Sequence, residues 1–307
     1  MNVKKIIRAG IRFITDSDYR FLILAEMGKY DSIPDDIYLK RKYKATIGRE
    51  LNLDNPQSFN EKIQWLKLYN RKPEYVEMVD KYLVRDYISK KIGNQYLIPI
   101  LGVWNTPDEI PLDELPSQFV LKCNHNSGLG MCICKDKEKL NIKKAQRRLQ
   151  KGLAQDYYLT GREWPYKDVP RKIIAEQYMK EENKEELTDY KFMCFNGKVK
   201  CLFTCTDRFS EDGLKVTFYD KDWNVLPFER HYPALKTPGK KPESLKEMIE
   251  LAEILSEGIP FVRIDFYEIG HRPYFGEITL FPGSGFEEFT PEEWDYTLGS
   301  WIQLPSK

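Results

Sequence analysis

Net charge is nearly absent from this chain of 307 residues: 48 Lys and Arg stand against 47 Asp and Glu, leaving +1. A surface so balanced offers nothing to a polyanion as a whole, so nucleic acid receives no compositional support as a partner. Long apolar runs are missing too, and none reaches the length a transmembrane helix requires. The opening MNVKKIIRAGIRFITDSD has basic residues but only short apolar pieces and no small-residue cleavage site, which argues against a secretory leader. C-x-x-C pairs are lacking. The six cysteines, Cys123, Cys132, Cys134, Cys194, Cys201 and Cys205, all fall in strand-like runs. His125 with Cys123, Cys132 and Cys134 makes a conceivable zinc set, but C-x-C within a strand sends both side chains to one face as ordinary core. A reducing, cytoplasmic location is the expectation. Repeats and low-complexity tracts are absent, and so is the G-K-[ST] ending of a Walker A loop.

What is present reads as α+β with mostly antiparallel strands. With 41% hydrophobic residues the chain can bury a substantial core, spread over two or three lobes. Residues 1 to about 92 are mostly helical in pattern. In VKKIIRAGIRFI, Val3, Ile6, Ile7, Ile11, Phe13 and Ile14 share one side, with Lys4, Lys5, Arg8 and Arg12 on the other. Packing of that apolar side on the protein body is the expectation; an anionic membrane surface is the alternative. Ser58 and Glu61 form a capping box ahead of Ile63, Leu66 and Leu68. Asp80 opens a further helix that ends near Gly93. From Tyr96 the pattern turns to strands. QYLIPILGVW, QFVLKCN, MCICKD and KIIAEQYM are strand-like, and NIKKAQRRLQKGLAQDYY is a charged helix. DYKFMCFNGKVKCLFTCTDR is a hairpin turning at Asn196-Gly197, and LKVTFYDKDWNVL is expected to be another. SLKEMIELAEILSEG is an amphipathic helix.

Acids appear inside an apolar run in FVRIDFYEIGHRPYFGEITLFPGSG, residues 261–285. Val262, Ile264 and Phe266 alternate with Arg263, Asp265 and Tyr267. Gly276, Ile278 and Leu280 alternate with Phe275, Glu277 and Thr279, and Gly270 and Pro273 punctuate a turn between the runs. A hairpin closing near His271 sets Asp265 opposite Glu277. Arg263, Asp265, Glu277 and Thr279 then share one face, and Ile264, Phe266, Ile278 and Leu280 the other. Opposed carboxylates repel, so a positive group belongs between them. Mg2+ is one candidate, since it takes carboxylates together with substrate phosphates. Arg263 pairing with both acids as a structural ion network is the other.

Two further stretches carry chemistry. In FVLKCNHNSGLG, Lys122 ends an apolar strand ahead of a loop with Ser127, Gly128 and Gly130, whose N–H groups are free to wrap phosphate oxygens. An ordinary hairpin loop explains the same residues. In RKIIAEQYM, Glu176 ends another strand, a position usually solvated.

Taken in order, from the helix opened by Asp80-Lys81 to the PGSG segment, these motifs resemble the ATP-grasp superfamily from about Asp80 to Gly285. SFNEKIQWLKLY followed by DKYLVRDYI is similar to the TupA-like branch, found among teichuronopeptide and surface polysaccharide genes. The resemblance implies two α+β lobes clasping ATP behind a helical N-terminal region: residues 1–78, then 79–182 with the glycine loop, then 183–307 with the metal site. It implies that Lys81 and Lys122 hold ATP phosphates under a mobile loop from Asn126 through Ser127 and Gly128 to Gly130. Glu176 and Tyr178 meet the adenine, and Asp189 and Lys191 contact ribose or phosphate. Asp265, Glu277 and Thr279 hold Mg2+, the last standing where the superfamily usually has Asn. Arg263 steadies charge on an acyl phosphate, and Gly283 and Gly285 admit the substrate.

The function implied is an ATP-dependent carboxylate–amine ligase joining an amine or amino acid to an acidic sugar or glycan carboxylate in surface polysaccharide synthesis, at the inner membrane face if the first helix touches lipid. Three rivals use similar residues: an ATP-grasp phosphotransferase acting on a glycan hydroxyl, a sugar-nucleotide glycosyltransferase, and a non-catalytic nucleotide binder. Against the transferase, the D-x-D at Asp220 and Asp222 reads as a turn rather than a metal motif.

Overall fold

The computed structural model describes residues 3–181, 187–206 and 213–306, with side chains from residue 7 onward. Helices come first: α1 (Val3–Thr15), α2 (Ser17–Glu26), α3 (Asp35–Ile47), α4 (Phe59–Tyr69), α5 (Glu74–Val79) and α6 (Val84–Lys91). Strands β1 (Ile100–Trp104), β2 (Phe119–Cys123) and β3 (Cys132–Cys134) precede α7 (Ile142–Ala154), the short α8 (Tyr158–Gly161) and β4 (Ile173–Gln177). There follow β5 (Asp189–Phe195), β6 (Lys198–Thr206), β7 (Lys215–Tyr219), β8 (Glu229–Arg230), α9 (Leu245–Leu255), β9 (Phe261–Ile269), β10 (Arg272–Thr279), β11 (Phe289–Thr290) and α10 (Glu293–Trp301). The lobe boundary expected between 182 and 183 lies outside the described residues.

Local chemistry sets these elements. The Ser58 hydroxyl accepts from the Glu61 N–H at 3.2 Å, and Glu61 Oε2 accepts from the Ser58 N–H at 3.1 Å, so the capping box forms at the start of α4. Asp80 accepts from the N–H groups of Tyr82 and Leu83 just ahead of α6. Asn196 and Gly197, at φ 50° and 77°, turn β5 into β6.

Among the described residues β1–β4 form one antiparallel sheet, in the order β1-β4-β2-β3, and a second antiparallel sheet runs β10-β9-β5-β6-β7. Each has its own core. Phe119, Leu121, Cys123 and Ile173 of the first sheet pack with Leu149 and Leu153 of α7. Helices α2–α6 share a larger core with the second sheet, where the Phe59 ring meets Phe261 edge-on at 4.9 Å between centroids. Lys81 joins the two units: its N–H donates to the Asn124 carbonyl at 3.1 Å, and Asn124 follows β2.

The acidic hairpin differs from simple alternation by one residue. Gly270 and His271, both at positive φ, close the turn and pair Ile269 with Arg272. That register pairs Phe266 with Phe275 and would put Gly276 opposite Asp265. A bulge at Gly276 absorbs the extra residue, so Glu277 faces Asp265 and Thr279 faces Arg263. Phe275 therefore turns to the core with Phe266, although straight alternation assigns it to the side of Glu277. A Cβ at position 276 would stand 3.2 Å from both the Asp265 carbonyl oxygen and the Tyr267 ring.

Two other expectations change. LKVTFYDKDWNVL does fold back, with Tyr219 bridging Val225 and the Leu226 N–H donating to the Phe218 carbonyl at 2.9 Å, but the second arm is too short to make a strand, and β7 pairs along its length with β6. Helix α1 does not bury its apolar side on the body. Ile7, Ile11 and Ile14 are 57%, 58% and 75% exposed, because the helix rests mainly on α2.

Candidate active site

Asp265 lies near the middle of β9, 3% exposed, between β10 and β5. Arg263, two residues along the same face, grips it with Nε and a terminal nitrogen, each at 2.7 Å from a carboxylate oxygen. Lys191 is paired in register with Asp265 from β5, and its Nζ donates to Oδ2 at 2.5 Å. Asp189 is 3.6 Å from the same ammonium. Glu277 stands across the hairpin, 3.1 Å from Lys81 and 3.5 Å from Arg263. Burial by itself raises the Glu277 carboxyl, but Lys81, Arg263 and Lys191 outweigh it and hold the group down at about 2. Three carboxylates and three cations thus balance on one patch of sheet.

The Arg263 bridge between both acids is the structural ion network weighed above, and it is present. The same donors suit a hard divalent cation. Asp265, Glu277 and the hydroxyl of Thr279, which is buried with no hydrogen-bond partner among the described residues, are all oxygen ligands. Among the described residues no three His, Cys, Asp or Glu side chains gather into a metal site. A cation here would therefore complete its shell from substrate oxygens.

Lys81 carries the link to the loop after β2, donating from Nζ to the Asn126 carbonyl at 2.7 Å. Asn126 is buried and donates from its side-chain amide to Gly152 of α7 at 3.1 Å. Ser127 and Gly128 are exposed at the loop tip. Gly130 is not free: at φ 79°, its missing Cβ would lie 2.6 Å from Cys123 Sγ and 3.0 Å from Gly152 Cα. The loop is pinned at both ends and open at its tip. Lys122 pairs with Glu176 at 2.7 Å across neighbouring strands, so Glu176 is buried rather than solvated. Tyr178 is half-buried directly after β4. His125 turns its Nε2 to the Gln155 carbonyl at 3.1 Å, and among the described residues the cysteines form no disulfide.

The structure also gathers residues that sequence reasoning missed. A cleft of about 230 Å3 opens against Arg263, Glu277 and Thr279. Its other walls include Ser127 of the loop tip, Tyr157, Tyr166 and Glu163, with Gly283 and Ser284 at the end. Gly283 was expected here; Gly285 instead packs on Gln64 and Ile63 of α4. Glu163 and the tyrosines sit in an irregular segment with no period to mark them. Ser284 had one signal, its place in PGSG, and it holds a left-handed φ of 52°.

A family profile described as TupA-like ATPgrasp matches residues 61–303, about four fifths of the chain. The chain belongs to the TupA-like ATP-grasp family. Its α+β fold, in which the two larger sheets each have their own core and β8 and β11 form a small third sheet among the described residues, is the ATP-grasp fold that the motif order implies. Comparison with curated proteins found no match. Among solved structures, a Bacillus anthracis D-alanine–D-alanine ligase complexed with ATP is similar at 16% identity and TM-score 0.41, over 66% of this chain and 55% of that one. The Helicobacter pylori D-alanine–D-alanine ligase gives 16% and 0.41, over 80% of this chain and 70% of that one. A RimK domain protein from Sphaerobacter thermophilus gives 12% and 0.41, over 76% and 70%. Likeness at this level assigns no activity. In this ATP-grasp chain Lys81, Lys191, Arg263, Asp265, Glu277 and Thr279 come together, with Asn126 at their edge. Lys122, Glu176 and Tyr178 form a second group on the first sheet.

Proposed function

We propose that the chain is an ATP-dependent carboxylate–amine ligase acting in surface polysaccharide synthesis. ATP phosphorylates a carboxylate on an acidic sugar or glycan, and an amine or amino acid displaces phosphate to give an amide. The observation that carries this reading is the opposed pair Asp265 and Glu277, set in a patch with Arg263, Lys81 and Lys191 beside a small cleft. Bound there, Mg2+ would offset phosphate charge. The chain's own residues supply the rest. Lys81 and Lys122 bind phosphates, Glu176 and Tyr178 hold the base, and Arg263 offsets charge on the activated carboxylate. The Asn126–Gly130 loop covers the nucleotide with its exposed tip. Residues 1–78, 79–182 and 183–307 are the helical region and the two lobes in this reading.

The exposed apolar side of α1, flanked in sequence by Lys4, Lys5, Arg8 and Arg12, supports work at the cytoplasmic membrane face. Among the described residues no helix is long and apolar enough to cross a membrane.

Nucleotide binding tests the first part. ATP with Mg2+ should raise the melting temperature by mass action, and Lys122→Ala should remove most of the shift. A variant that responds as the parent does rejects the role given to Lys122. A shift with a UDP-sugar and none with ATP rejects the nucleotide assignment.

A further inference from the structure

The cleft beside the acids contains a carboxylate that, among the described residues, no side-chain cation touches. Glu163 is 4% exposed. Its Oε1 accepts a short hydrogen bond from the Ser284 hydroxyl, and among the described residues its Oε2 has no hydrogen bond and the group forms no ion pair. Two lysines lie near and act on it through their charge, but neither hydrogen-bonds it. Lys67, fully buried on α4, donates to Gln64 Oε1 at 3.0 Å and to the Gly161 and Ser284 carbonyls at 2.7 Å each. Lys42 of α3 donates to the Thr160 carbonyl at 2.5 Å. Neither lines the cleft. Burial raises the Glu163 carboxyl above the usual range, with Glu277 adding to the rise and the charges of Lys67 and Lys42 opposing it.

A buried carboxylate with one donor is costly unless something completes it. The cleft shows what fits. Glu163 itself repels an anionic group from its end of the cleft. Arg263 is the one cation on the wall, and its guanidinium is held by Asp265. Tyr157 and Tyr166, set edge to face at 4.8 Å between centroids, add ring surface that favours a cation. A neutral hydroxyl would donate one hydrogen bond and leave the charge standing.

We propose that this cleft receives a primary ammonium group, with Glu163 as its counter-ion. The identity of that group as the amine to be ligated rests on the ligase reading; the ammonium site itself does not. The placement is apt for ligation, because the cleft opens directly on Arg263, Glu277 and Thr279, where the activated carboxylate would stand.

Saturation-transfer NMR with ethylammonium chloride as the probe, ethanol as its neutral counterpart and matched ionic strength tests the site. The parent should give a saturable ethylammonium signal and none for ethanol. Glu163→Gln should weaken the probe at least about tenfold while keeping its melting shift with ATP and Mg2+. If that variant does not fold, Ser284→Ala decides instead. It keeps the charge, removes the one donor that competes with the probe, and should strengthen probe binding severalfold. No saturable signal from the parent, equal signals from probe and ethanol, or a folded variant that binds as the parent does overturns the proposal. The ligase reading fails separately. A probe lost with Glu163→Gln, but no acyl phosphate from any carboxylate, leaves the ammonium site standing and removes the ligation. An acyl phosphate with a probe indifferent to Glu163 removes the site alone.

Discussion

At the scale of residues, the candidate site is a balance of charges more than a set of ligands. Glu277 shows it best. Its neighbours hold it ionised far below the ordinary carboxylate range, with the group at about 2 against a usual 4.5. The unfolded chain takes up this proton below about pH 4.5, whereas the folded chain waits until about 2. The stabilisation is therefore complete above the unfolded value and is lost as pH falls through the folded one. Glu277→Gln removes it. The melting-temperature advantage of the parent over this variant should shrink as pH is lowered from about 6 to about 3. An advantage constant across that range contradicts the ion network described here. Arg263, Asp265, Glu277 and Thr279 could be read from sequence because acids in a strand pattern are anomalous. Glu163 could not: it lies between a short helix and a 3-10 turn, and only the fold brings Ser284 to it from 121 residues away.

At the scale of elements, hairpins with a strong turn signal were legible and a one-residue irregularity was not. Asn196-Gly197 announces its turn, but the strands beside it shift register between Met193 and Cys194, which the turn signal does not display. The acid hairpin has the expected opposition of Asp265 and Glu277, but it reaches it through the bulge at Gly276, which alternation cannot display. The apolar stripe of α1 was legible, yet a stripe does not say what covers it, and the body does not. The full chain should sediment with anionic vesicles at low salt and lose that binding when salt is raised or residues 1–15 are removed. Equal sedimentation of the two chains would end the membrane reading. The loop after β2 makes a sharper test of local geometry. Gly128 and Gly130 both have positive φ, but only Gly130 has neighbours where a Cβ would go. Gly130→Ala should cost more than Gly128→Ala, whose strain alone is of order 1–3 kcal/mol. Thermal melts of the two variants compare them directly, and equal losses would mean that the loop is not pinned on α7.

At the scale of the whole molecule, two sheets with separate cores meet through Lys81, which touches the loop of one and the acid of the other. This arrangement is legible in the order of the motifs, though in no single motif alone. What the cleft receives was not legible, since Glu163 and Ser284, which line it, come from outside the regular strands and longer helices. The central claim is that a carboxylate is activated by ATP on this patch. Its most direct test is incubation with ATP, Mg2+ and a panel of uronic acids, with hydroxylamine in place of the amine. The account predicts that at least one acid yields a hydroxamate and ADP in equal amounts. A stable phosphate ester with no hydroxamate, or sugar transfer from a nucleotide sugar without ADP, would contradict it.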